Sequence, residues 1–131
     1  MMKQRLCLKL YSAQNTVSLI KQLKFNRIRV KKIRYKTSAN YQSVLTLDVA
    51  ELSVHQYIDP LQKSQYFFAL FVEDSANRII NYVNIDHNDW DYNGSPVEWN
   101  SFQFNILMDG EFEANINVNN PIMIELEYEN I

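Results

Sequence analysis

The sequence has few of the residues that interrupt or cross-link a chain. Its 131 residues include one cysteine, two glycines and three prolines. The single cysteine, Cys7, excludes an internal disulfide and a zinc site built on several cysteines. Because Cys7 alternates with Leu6 and Leu8 in a strand-like run, we expect a half-buried structural thiol.

Long hydrophobic runs are also lacking. The longest strongly apolar stretch is residues 66–72, far below the roughly 18–20 residues that cross a bilayer as a helix. No apolar signal-peptide segment follows the first basic residues. We therefore expect no membrane span and an intracellular location.

Acidic residues are missing from the first 47 positions, and Asp48 is the first acid. The first 36 residues contain eleven of the thirteen bases, whereas the fifteen acids after residue 37 stand against only Lys63 and Arg78. The net charge of −2 hides this separation, which indicates an interaction role.

Apolar and polar residues alternate with period two through most of the chain, and no amphipathic helix of ten or more residues is evident. Short strands at this spacing predict an all-β protein, an antiparallel two-sheet β-sandwich of about eight strands, jelly-roll-like. The length fits one domain over residues 1–131.

Two local features are specific. The apolar phase changes at Lys31–Lys32, and one extra residue there, a β-bulge, would return Ile28, Val30, Ile33 and Tyr35 to a common face. A strand that crosses between two sheets would explain the same change. Asp109–Gly110 predicts a two-residue hairpin turn.

Three further segments have predicted roles. Residues 65–73 carry apolar groups on both faces, as a central strand does, and pair with residues 78–85 as a hairpin. Residues 86–96 are predicted to be the longest polar connection. Residues 112–118 alternate as a strand.

The charged residues form one basic and one acidic row. The rows contain Arg27, Arg29, Lys31, Lys32, Arg34 and Lys36, and Glu125, Glu127 and Glu129. They either lie side by side in one sheet, where opposite charges stabilise the pairing, or occupy separate surfaces through which copies of the protein or a larger partner meet. The acidic surroundings do not favour nucleic acid as a partner.

A polar segment resembles the first half of a calcium loop. Its candidate ligands are Asp89, Asp91, Asn93 and Glu98, although position twelve of the motif is Asn100 and Glu98 is out of register. The alternative is a solvated Asn-Gly turn. Trp90, Tyr92 and Trp99 surround this segment and either stack on a sugar or fold back over the end of the sandwich.

No active-site motif is present. The sequence lacks a serine-protease order of Ser, His and Asp, a glycine-rich phosphate loop and a His-Glu-x-x-His motif. We predict that the protein is not an enzyme, that it has no catalytic residue, and that its only candidate cofactor is calcium.

The strand pattern of residues 25–35, 66–72 and 102–128 resembles that of small single jelly-roll proteins of double-stranded DNA viruses. These are minor capsid, penton-like and cement proteins of virophages, polinton-like viruses and large DNA viruses. The resemblance implies symmetric or hexon-bridging assembly with itself or with other capsid proteins, location in the virion, and no catalysis. It covers about half of the chain and carries over no individual functional residue.

Overall fold

The computed structural model describes residues 2–37, 43–72, 79–85 and 89–131. Within these ranges the regular elements are ten strands. They are β1 (Lys3–Leu10), β2 (Gln14–Lys36), β3 (Val44–Asp48), β4 (His55–Ile58), β5 (Lys63–Tyr66), β6 (Phe68–Phe71), β7 (Ile79–Val83), β8 (Tyr92–Met108), β9 (Glu111–Phe112) and β10 (Ile122–Asn130). None of the described residues forms a helix long and apolar enough to cross a membrane.

Eight strands form one antiparallel sheet. Its order is β1–β10–β2–β8–β3–β6, with β7 beside β2 and β9 beside β8, while β4 and β5 pair separately. The predicted all-β, antiparallel class is confirmed. The last strand of the chain therefore lies between the first two.

Two very long strands, β2 and β8, pair with each other and bend at two bulges. Residues 19–22 of β2 lie opposite Asn100 alone, and residues 94–96 of β8 lie opposite Asn26 alone. The second bulge contains Pro96. A proline is tolerated at a bulge because its missing N–H removes no hydrogen bond from the ladder between the strands. The prediction that residues 86–96 form a polar connection is therefore wrong from Tyr92 onward, because β8 begins there. Residues 86–88 lie outside the described ranges.

The predicted bulge in β2 is confirmed. Glu125 of β10 pairs with Lys32 and the next residue, Leu126, pairs with Val30, so Lys31 is the extra residue. As a result, the apolar side chains before and after the bulge all face the core. Ile28, Val30 and Ile33 are fully buried and Tyr35 nearly so.

Aromatic rings fill the core where β2 meets β8. Trp99 stacks on Phe102 with ring centroids 4.0 Å apart, and Phe25 meets Trp99 edge-on at 4.8 Å. Trp99, Phe25 and Phe104 are at most 1 % exposed. These contacts hold the two bent strands together.

The prediction of a central strand over residues 65–73 is wrong. This stretch forms the end of β5 and the edge strand β6, which pairs only with β3, whereas β7 pairs with β2. The predicted hairpin between the two segments is therefore absent from the described pairings; its turn, residues 73–78, lies outside the described ranges. Exposure of Phe71 at 67 % fits an edge strand.

The predicted strand over residues 112–118 is also wrong, because β9 ends at Phe112. Glu113 turns inward and accepts hydrogen bonds from the Thr37 hydroxyl (3.2 Å) and the Asn115 backbone N–H (3.3 Å). Asn115 and Asn120 donate side-chain hydrogen bonds to the Lys36 carbonyl. These polar contacts replace the expected strand ladder with a loop fixed to the end of β2.

The predicted hairpin turn at Asp109–Gly110 is confirmed. Both residues have positive φ, 52° and 83°, as a type I′ turn requires. The turn lies against the β4–β5 hairpin, because a Cβ added at Gly110 would meet the Gln62 Cβ at 2.8 Å and the Tyr57 ring at 3.1 Å.

Gly110→Ala is expected to lower the free energy of unfolding by about 1–3 kcal/mol, since it combines a disfavoured φ with a steric conflict. Gly94→Ala is the control, because its φ is not positive and the atoms nearest to its added methyl belong to the side chain of Tyr92, at 3.0–3.3 Å, and not to the backbone. Urea unfolding of both variants tests the prediction. Equal losses in the two variants would contradict it.

Candidate functional site

The charged residues meet on the outer face of β1, β10 and β2, which we call the charged face. Strand pairing arranges them in four cross-strand rows, each with one residue from β1, one from β10 and one from β2. The four rows are Lys3–Glu129–Arg27, Arg5–Glu127–Arg29, Cys7–Glu125–Lys32 and Lys9–Met123–Arg34. Residues directly opposite in antiparallel strands are neighbours on one face. The glutamates of β10 therefore stand between two strands of bases.

The most buried ion pair of this face joins Arg29 and Glu127. One Glu127 carboxylate oxygen, Oε1, accepts hydrogen bonds from Arg29 Nε at 2.9 Å and Nη2 at 2.6 Å. The two side chains are only 5 % and 8 % exposed. Arg5 approaches the other oxygen of Glu127 at 3.7 Å and Glu125 at 2.9 Å.

Trp90 covers this pair. The Arg29 guanidinium carbon lies 4.5 Å from the centroid of the Trp90 ring, and Lys3 Nζ lies 5.8 Å from it. Contact between a guanidinium and an indole face is favourable and shields the ion pair from water. The Arg29–Glu127 pair is thus covered, although Arg5 and Arg27 beside it remain partly exposed.

Opposing effects set the pKa of Glu127. Burial alone would raise it, but the hydrogen bonds and charge of Arg29, with smaller contributions from Lys31 and Lys3, outweigh burial and hold the pKa below its ordinary value. Glu127 is therefore ionised in the folded protein at neutral pH.

Of the two interpretations of the charged rows, pairing within one chain is confirmed. Arg27 lies 3.6 Å from Glu129, Arg29 pairs with Glu127, and Arg5 pairs with Glu125. The interpretation that places the acidic and basic rows on separate surfaces is wrong for these residues. The glutamates of β10 are mostly buried by neighbouring bases.

The other half of the charged face remains open. A concave surface of about 490 Å³ lies over β1, β10, β2 and β7. We call it the open groove and define it by Lys9, Lys32, Arg34, Asn81, Val83 and Met123. Beyond it, Lys31 is half-buried at the bulge and Lys36 lies beside Ile79 of β7.

The open groove combines positive charge with an apolar floor. Lys9, Lys32 and Arg34 are exposed, and none of them forms an ion pair with another described residue. Met123 and Val83 are 42 % and 44 % exposed. A surface of this kind suits an acidic partner with apolar side chains.

The candidate calcium ligands are spread along the start of β8. Asp91 accepts a hydrogen bond from the Val30 backbone N–H at 2.7 Å, Asn93 accepts one from Arg27 at 3.4 Å, and Glu98 pairs with Lys24 at 3.2 Å. Asp89 is exposed. No group of three or more His, Cys, Asp or Glu that could hold a metal occurs among residues 2–37, 43–72, 79–85 and 89–131. Calcium binding stays a prediction.

The candidate stacking aromatics have other contacts. Trp99 is 1 % exposed in the core and cannot stack on a sugar, so this part of the prediction is wrong. Tyr92 is buried and its hydroxyl donates to the Ser95 carbonyl at 2.8 Å, across the bulge of β8. Trp90 is half-buried over Arg29. All three rings thus pack against other residues of the chain.

Sequence reasoning missed several residues of the open groove. The sequence pattern could have identified Met123, because it is the one apolar residue at the outward positions of β10, where the others are glutamates. Asn81 and Val83 carried none, since only the pairing of β7 with β2 brings them beside Arg34 and Lys32.

Comparisons with known proteins found no match, either among protein-family models or among curated sequences.

Arg29→Met is expected to lower the free energy of unfolding by about 3–5 kcal/mol, because it removes both hydrogen bonds of Arg29 to the buried Glu127 carboxylate and leaves it only the more distant guanidinium of Arg5. The double variant Arg29→Met/Glu127→Leu should recover most of that loss. Lys24→Met is the control: Lys24 and Glu98 are both more than half exposed, so its cost should stay below about 1 kcal/mol. Chemical denaturation measures all three, and similar costs for both single variants would refute the prediction.

Stability should depend on pH through Glu127. A carboxylate whose pKa is lowered in the folded state contributes stability that is complete above its ordinary pKa, 4.5, and is lost as the pH falls through the lower folded value. The stability advantage of the wild type over Glu127→Gln should therefore narrow on acidification. Denaturation at a series of pH values tests this, with Glu98→Gln as control. An advantage that does not change with pH would be inconsistent with it.

Proposed function

We propose that this protein is a non-enzymatic assembly protein whose copies associate through the open groove. The fold that we propose for this role is a two-layered β-sandwich of the jelly-roll kind. Support for the layering comes from the bulges in β2 and β8, which bend both strands around aromatic rings contributed by each.

The observation that carries the proposal is a group of bases that form no ion pair with another described residue and that surround exposed apolar side chains. Elsewhere on the charged face the central residue of each cross-strand row is a glutamate, which lies between two bases in two rows and between Cys7 and Lys32 in the third. In the row of Lys9 and Arg34 the central residue is Met123. Unpaired charges fix the orientation of a partner and speed its approach. Burial of Met123 and Val83 would supply affinity.

The same geometry favours a protein partner over nucleic acid. Glu125 borders the open groove, and its carboxylate would repel a phosphate backbone. A protein surface can place an acidic side chain beside each base and an apolar one on the floor. The virion is the setting that we propose, as a minor capsid or capsid-associated protein, because the strand pattern resembles that of single jelly-roll capsid proteins.

The proposal predicts that removing the groove charges weakens self-association. We expect the triple variant Lys9→Gln/Lys32→Gln/Arg34→Gln to raise the dissociation constant at least about tenfold. Its control is Lys21→Gln/Lys24→Gln, which removes positive charge from exposed sites of β2 outside the open groove. Sedimentation velocity over a concentration series, at low and high ionic strength, measures both variants against the wild type.

Wild-type association should also weaken at high ionic strength, because salt screens exposed charges. Circular dichroism establishes that each variant keeps its fold. A wild type that remains monomeric at every concentration, or a groove variant that associates as strongly as its control, would overturn the proposal. Arg29 is left intact because it belongs to the buried pair.

A further inference from the structure

A second surface of the protein has the opposite charge and its own exposed apolar groups. The β4–β5 hairpin ends in a tight turn in which Asp59 and Gln62 exchange two backbone hydrogen bonds, at 2.9 and 3.1 Å. The Asp59 carboxylate also accepts a bond from the Leu61 N–H at 2.8 Å. This turn presents Leu61, which is 89 % exposed, as a well-ordered apolar tip.

The hairpin lies against the turn between β8 and β9, and this packing gathers acidic groups. Gln62 donates a hydrogen bond to Glu111 at 3.0 Å, and Tyr57 lies against Gly110. We call the surface formed here the acidic end; it comprises Ile58, Asp59, Leu61, Asp109, Glu111 and Phe112.

The acids of this surface act on a common neighbour. Burial, and then the charges of Asp109 and Asp59, raise the pKa of the Tyr57 hydroxyl. Neither these two acids nor Glu111 forms an ion pair with another described residue. The nearest base along the hairpin is Lys63, opposite Ile58, so the acidic end keeps a net negative charge.

We propose that the acidic end of one copy docks into the open groove of a second copy. The two surfaces are complementary in charge, because the acids of one and the bases of the other form no ion pair with a described residue of their own chain. Each surface also has exposed apolar groups. Leu61 is the apolar tip that covers Met123 and Val83. This inference rests on the proposed function and names the surface that the open groove receives.

Such an interface joins two different surfaces. Each copy can therefore bind one neighbour through its open groove and a second neighbour through its acidic end. The two surfaces share no residue, so a growing assembly has a free groove on the copy at one end and a free acidic end on the copy at the other. Assemblies of this type continue as open filaments unless the rotation between copies closes them into a ring.

A mixing experiment tests this arrangement. The acidic-end variant Leu61→Ser/Glu111→Lys should fail to self-associate, as should the groove variant Lys9→Gln/Lys32→Gln/Arg34→Gln. Mixed in equal amounts, the two should form a one-to-one heterodimer and nothing larger, because the mixture retains one intact groove and one intact acidic end per pair. Analytical ultracentrifugation resolves the species.

The matched control is Val54→Ser/Glu51→Lys, which changes an exposed apolar and an exposed acidic residue outside the acidic end and should associate like the wild type. An acidic-end variant that assembles normally, or a mixture that yields no heterodimer, overturns this inference. If the groove variant fails to assemble but the acidic-end variant assembles normally, the proposed function stands and the groove binds another surface. If the groove variant assembles like its control, the proposed function fails as well.

Discussion

The register of β10 between β1 and β2 is the constraint on which the rest of the structure depends. Side chains alternate between the two faces of a strand, so a slip of one residue would turn the glutamates of β10 toward the core and expose Ile124, Leu126 and Tyr128. Pairing of Glu127 with Arg29 opposes that slip, because the slip would leave a buried charge without its partner. The ion pair thus specifies the register and the apolar residues supply most of the stability.

The separation of charge along the sequence follows from this strand order. Bases lie in the two strands nearest the start of the chain and acids in the last strand, which inserts between them. Folding therefore brings the three glutamates of β10 against the basic strands. In the remaining cross-strand row Met123, and not a glutamate, lies between Lys9 and Arg34. That single position opens the groove.

Features that depend on local pattern could be predicted from the sequence. The phase change at Lys31 and the Asp109–Gly110 turn required only alternation and backbone preference, and both are present. Features that depend on tertiary pairing could not. The sequence pattern assigns Pro96 to a loop because its bulge exists only opposite Asn26. The pattern assigns Trp99 to the surface because its burial requires Phe25 from β2, a distant part of the chain.

The same reasoning limits what charge patterns reveal about function. Arg29 and Arg34 belong to one strand and one basic row in the sequence, yet Arg29 is buried against Glu127 whereas Arg34 is exposed beside Met123. Their difference comes from the residue that β10 places opposite each of them and from Trp90, which covers Arg29. A base on a sheet is most available to a partner where the neighbouring strand places no acid opposite it. The availability of each base of β2 therefore depends on its cross-strand neighbours and not on its position along β2.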